Sequence, residues 1–129
     1  MTYDRDIIKT LSAEQFRRVG VACCYRLGCD RRDKRLAKAM RMLKRSLGPP
    51  PSEKMRRDAF NAANSACTVL RRKSELDNAL ACTVLCACES GPTSLLLGNF
   101  ELALMRGEHL SLPEAREVER GILQSVLDG

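Results

Sequence analysis

Along the chain, apolar residues recur at intervals of three and four and nowhere alternate, which is the period of an amphipathic helix and not of a strand. The spacing predicts six helices. The first starts at Ser12, where Ser12 and Gln15 have the spacing of a capping box. It carries the stripe Phe16, Val19, Cys23 and Leu27 and stops at Gly28. Asp30 is the expected cap of the second, whose stripe is Leu36, Met40, Leu43 and Leu47. Gly48 and the three prolines from Pro49 to Pro51 end it. Ser52 caps a third helix bearing Met55, Ala59, Ala62, Ala63, Ala66 and Leu70, whose alanines allow a close approach to a neighbour.

Ser74 opens a fourth helix with the stripe Leu76, Leu80, Val84 and Ala87, although Ser52 to Glu89 contains no Gly or Pro and is compatible with one long bent helix. After Ser90, Gly91 and Pro92, the fifth helix runs from Thr93 or Ser94 to near Gly107. Its apolar residues, from Leu95, Leu96 and Leu97 to Phe100, Leu102, Leu104 and Met105, point to every side. Such a helix is buried on several faces or presents a patch to a partner. The sixth starts at Ser111, with Pro113 in its first turn and Glu114 completing a second capping box, and its stripe is Ala115, Val118, Ile122 and Val126.

The reading is therefore an all-α chain of six short helices forming three antiparallel hairpins, one domain over residues 1–129 with residues 1–11 as a flexible arm. At this length a single core closes without metals or crosslinks. Two arrangements stay open, an α-solenoid and a compact helical bundle.

The leading helices of the hairpins begin at Ser12, Ser52 and Thr93, 40 and 41 residues apart, and share an inner pattern. Phe16, Val19, Gly20 and Cys23 have the same spacing as Ala59, Ala62, Ala63 and Ala66, and Ser94, Leu97, Gly98 and Glu101 repeat it imperfectly. Through Phe16-x-x-Val19-Gly20-x-x-Cys23 and Leu97-Gly98, residues 12–127 resemble the tetratricopeptide class of helical-hairpin repeats. The chain departs from that class in three ways. Its period is near 40 rather than 34 residues, Cys23 stands for the aromatic, and Ala62-Ala63 stands for Leu-Gly. The resemblance implies a concave face on the leading helices that holds an extended or helical segment of another protein, as in small bacterial secretion chaperones. It places the groove at Val21, Cys24 and Tyr25, at Phe60, Asn64 and Cys67, and at Leu95, Asn99 and Leu102.

Charge adds a second feature. The net charge of +6 is uneven: residues 1–57 hold 16 basic and 6 acidic side chains, whereas residues 58–129 hold 6 and 10. In the second helix Lys34, Lys38, Arg41 and Arg45 repeat the spacing of the apolar stripe on the opposite side. Arg31 extends this basic face, and Arg32, Arg35 and Lys44 broaden it. Such a face suits an acidic protein or the phosphates of a nucleic acid; its plain reading is a solvated surface. Aromatics are 4% with no Trp, and no zinc-finger spacing or groove-reading motif is present, which makes nucleic acid the weaker branch.

Seven cysteines, an odd number, sit mostly within apolar runs and form no Cys-x-x-Cys pair. They read as reduced packing residues of a cytoplasmic protein. Cys82 and Cys86 share a helix face with Cys88 close by, but His109 is the one imidazole, so no metal and no cofactor are expected. His109 lies in a Gly-Glu-His-Leu turn with no nucleophile to serve, and Gly-rich phosphate loops are missing, so no catalytic residues are assigned and the chain is expected not to be an enzyme. No apolar stretch approaches the length of a membrane span, and charges from Asp4 to Lys9 fill the place of a signal peptide's apolar stretch. The expected function is a protein-binding module, a chaperone, adaptor or inhibitor, using an apolar groove and a flanking basic face, with self-association left open. The alternative is a nucleic-acid binder working through the second helix.

Overall fold

The computed structural model describes residues 3–49 and 51–129. Among them are seven α-helices and no strand: α1 (Asp4–Lys9), α2 (Ala13–Leu27), α3 (Lys34–Arg45), α4 (Glu53–Leu70), α5 (Glu75–Ala87), α6 (Leu95–Gly107) and α7 (Leu112–Asp128).

Local chemistry fixes most of the boundaries. Both capping boxes form: the Ser12 and Ser111 hydroxyls accept from the backbone N–H groups of Gln15 and Glu114, whose side chains accept in return. Ser52 and Ser74 cap α4 and α5 by accepting from the Met55 and Asp77 N–H groups, without the return bond. The chain breaks between Leu70 and Glu75, so α4 and α5 are two helices and not one bent rod.

Two expectations are corrected. Residues 1–11 are not an arm throughout, since residues 4–9 form α1, with Ile8 and Leu11 buried in the core. Six residues cannot hold a helix by propensity, so tertiary contact fixes this one, and no periodic stripe announces it. Residues 1 and 2 lie outside the described residues. The cap of α3 is Asp33, which accepts from the Arg35 N–H at 2.8 Å, and not Asp30. After Gly28, whose φ of 67° gives the left-handed stop, residues Cys29–Arg31 make a single 3₁₀ turn. That turn carries Cys29 into the core, where its thiol donates to the Leu80 carbonyl at 3.7 Å, and the start of α3 is delayed by three residues.

Helix α5 lies at the centre, packed between α4 and α6, with α2 against its inner side. Helix α3 packs on α4, α7 packs on α6 and α2, and α1 rests on α7. In a stack of hairpins each unit touches only its neighbours. Here α2 of the first hairpin also meets α7 of the last, so the helices close around one core led by Phe16, Leu36, Met40, Leu97, Phe100 and Leu104. Small residues set the closest approach: a Cβ on Gly20 would lie 2.8 Å from the Ala87 Cβ, so even Gly20→Ala forces α2 and α5 apart. No helix among the described residues is long and apolar enough to cross a membrane.

Candidate interaction surfaces

Because α5 is flanked on both sides, its residues divide into two strips. Ala79, Leu80, Thr83, Val84 and Ala87 are buried against α2 and the core, while Asn78, Cys82, Leu85 and Cys86 form a half-buried outward strip with no charge in it. The neighbouring helices continue this strip. From α4, Cys67 neighbours Cys82, and Phe60 borders an open cavity of about 320 Å³ shared with Cys88, Glu89 and Ser90. From α6, the Asn99 amide donates to the Cys86 sulfur at 3.7 Å and to the Leu95 carbonyl at 2.9 Å. Leu95 is 67% exposed and Leu102 is half-buried over the core.

The result is one uncharged face spanning three helices on a chain in which 29% of residues are charged. Charge returns at its ends, at Glu53, Arg56, Arg57 and Glu89 beside Phe60 at one, and at Arg71, Arg72, Lys73 and the Glu75–Arg106 ion pair at the other.

Six of the nine groove positions read from the sequence lie on this face: Phe60, Asn64, Cys67, Leu95, Asn99 and Leu102. The other three do not. Val21 and Cys24 are buried, because α2 lies beneath α5 rather than beside α4, so the flank expected to be open is covered. Tyr25 is exposed but belongs to the basic region, with the Lys44 ammonium 5.4 Å from its ring centre. The sequence reading missed the α5 strip. Its signal was the absence of any charged residue between Asp77 and Glu89, a run that no ordinary surface helix carries.

The basic face is present as a surface. Arg31, Lys34, Lys38, Arg41 and Arg45 are exposed, as is Lys44. Among the described residues the ion pairs use other arginines: Arg32 with Asp77 at 3.1 Å, Arg35 with Asp33 at 2.9 Å, and seven more elsewhere. None of these five cations makes an ion pair among the described residues, and Arg32 and Arg35, counted with the row from the sequence, are spent on local pairs. The exposed turn of Arg71, Arg72 and Lys73 leads directly into α5, whose Asp77 holds Arg32, so it adds positive charge at the amino-terminal end of α3.

The cysteines divide by burial. Desolvation pushes the thiols of Cys29 and Cys88 up to about 12 and those of Cys23 and Cys24 higher, which keeps them protonated and inert. Desolvation also raises Cys86, to about 11. Cys82 moves the other way, toward about 7, because the neighbouring Cys67 thiol stabilises its thiolate. Among the described residues no group of three or more His, Cys, Asp or Glu side chains is arranged to hold a metal ion. His109 is exposed in the turn between α6 and α7 at a φ of 59°. Compared with known proteins, the chain matches no family model, no curated protein and no solved structure.

Proposed function

We propose that the chain is a non-enzymatic protein-binding module whose partner is an amphipathic, acidic segment of another protein. Its apolar side covers the face of α4, α5 and α6, and its carboxylates meet the cations of α3. The observation that carries this reading is the uncharged strip from Phe60 through Cys82 and Cys86 to Leu102, continuous over three helices. The unpaired row on α3 supports it by charge complementarity. Like charges three and four residues apart cost about 0.2–0.5 kcal/mol each, so the row is not explained by stability.

The test is co-purification of the tagged chain from its native cell beside Leu95→Asp and Phe60→Asp, both at exposed positions where folding is spared. Loss of one and the same partner from both variants supports the reading; retention by both sinks it. A second reading, nucleic-acid binding through α3, is favoured by the same unpaired cations. In that case Lys38→Glu with Arg41→Glu abolishes a salt-sensitive affinity for nucleic acid while the Leu95 and Phe60 variants keep it.

A further inference from the structure

Where α1, α6 and α7 meet, a pocket of about 270 Å³ is built from charged side chains of both signs, sorted by depth. Its floor is three carboxylic acids, one from each helix: Asp4, Glu101 and Glu119 are 6%, 5% and 1% exposed. Its rim is Arg5, Arg116 and Arg120, whose side chains are 56%, 52% and 62% exposed. Arg120 reaches Asp4 at 3.3 Å, while Arg5 and Arg116 stand 3.8 and 3.9 Å from Glu101. These are long contacts that leave most of the guanidinium donors unused.

Both oxygens of Glu119 are buried without a hydrogen-bond donor. The groups nearest to it are the other two acids, so Glu119 is held in its neutral form: burial first, then the carboxyls of Asp4 and Glu101, push its pKa up to about 10. One proton is a poor filling for such a floor, because it serves a single oxygen of the neighbours and leaves the Glu119 carbonyl oxygen unpaired. An ammonium brings three donors on one compact charge.

We propose that this pocket binds a small zwitterion, with its ammonium among Asp4, Glu101 and Glu119 and its carboxylate or phosphate on the rim arginines. Either charge alone fits worse. A simple cation faces three guanidinium groups at the mouth, and a simple anion gains the rim but leaves the floor without donors. A metal ion is disfavoured because the three carboxyl groups are not arranged to coordinate one.

The arriving ammonium replaces the proton on Glu119, so binding releases a proton and tightens about tenfold per pH unit below the pKa of Glu119. The other groups facing Glu119 are Tyr3, Asp4 and Arg5 on the α1 side, Glu101 on α6, Arg116 and Arg120 on α7, and Cys23 on α2. Arginines keep their charge at every pH used, and burial holds the Cys23 thiol neutral.

The experiment is calorimetric titration of the full chain with β-alanine and with O-phosphoethanolamine, using ethylamine and propionate as single-charge controls. It is run in buffers of different ionisation heat between about pH 6 and about pH 8. Both zwitterions are expected to bind with close to one proton released, and each control at least about tenfold more weakly. Glu119→Gln keeps the neutral shape but fills the floor with amide donors, so it weakens binding and removes the proton release. Arg116→Gln weakens the zwitterions and spares ethylamine. The proposal is overturned by the absence of zwitterion binding across the pH range, by binding without proton release, by unchanged binding in Glu119→Gln, or by ethylamine binding as tightly as β-alanine.

Discussion

Charge is handled in opposite ways on α3 and at the junction of α1, α6 and α7. The α3 row spreads its cations along an exposed face where, among the described residues, none is held in an ion pair, so each keeps its water and repels its neighbours through a screened medium. The junction gathers three acids out of water and sets three arginines over them, Arg120 on Asp4 and Arg5 and Arg116 at the edge of ion-pair range from Glu101. The first arrangement costs tenths of a kcal/mol per pair, and the second costs whole units unless a proton or a cation intervenes. Exposure, not the number of charges, decides which region governs stability, and the exposed region is the one free to act on a large partner.

The largest effect expected from this contrast is a pH dependence of stability. The folded value for Glu119, about 10, lies above the ordinary 4.5, so the native chain holds a proton that the unfolded chain has released. The contribution is full below about pH 4.5 and is lost as pH rises through the window toward 10. At about 1.4 kcal/mol per unit, the wild-type chain loses on the order of 3 kcal/mol between about pH 6 and about pH 8 in denaturant titrations. Glu119→Gln flattens that slope and is the more stable protein at the alkaline end. An equal slope in both proteins would show that the buried carboxyls do not control the junction.

A smaller effect separates two cations that look alike in the sequence. Arg120→Ala strips Asp4 of the one ion-pair partner it has among the described residues while Asp4 stays buried, at a cost of about 1 kcal/mol. Faster amide exchange in α1 is expected to accompany it. Lys38→Ala removes a charge that makes no ion pair, so stability rises by a few tenths of a kcal/mol at most and exchange in α1 is unmoved.

The α3 row was legible because its determinants lie within one helix: a period of three and four, and Gly48 and Pro49 to stop it. The capping boxes at Ser12 and Ser111 and the break at Ser74 were legible for the same reason. Asp30 is the cap expected and Asp33 the one found, because nothing local shows that Cys29 is drawn into the core. The positions expected on α4 and α6 fall on the uncharged face. Its centre on α5 was missed and Val21 and Cys24 were misplaced, since side-by-side hairpins do not foretell that α2 lies beneath α5. The carboxyl floor joins residues 4, 101 and 119, which no spacing relates; Glu101 and Glu119 read as polar positions of helices that happen to meet.

The smallest effect bears most directly on why the row exists. Lys38 has Lys34 four residues before it and Arg41 three residues after it, so Lys38→Glu turns two repulsive neighbours into attractive ones. The gain is a few tenths of a kcal/mol up to about 1 kcal/mol at low ionic strength, shrinking as salt screens both the repulsion and the new attraction. The same variant is expected to weaken retention on a heparin column, and the triple change of Lys38, Arg41 and Arg45 to Glu to abolish it without unfolding the chain. A more stable protein that has lost its grip on a polyanion would show that the wild-type row is maintained against the interest of the fold. If Lys38→Glu is destabilising at low salt, an acidic neighbour must already serve the row, and the contrast with the carboxyl junction collapses.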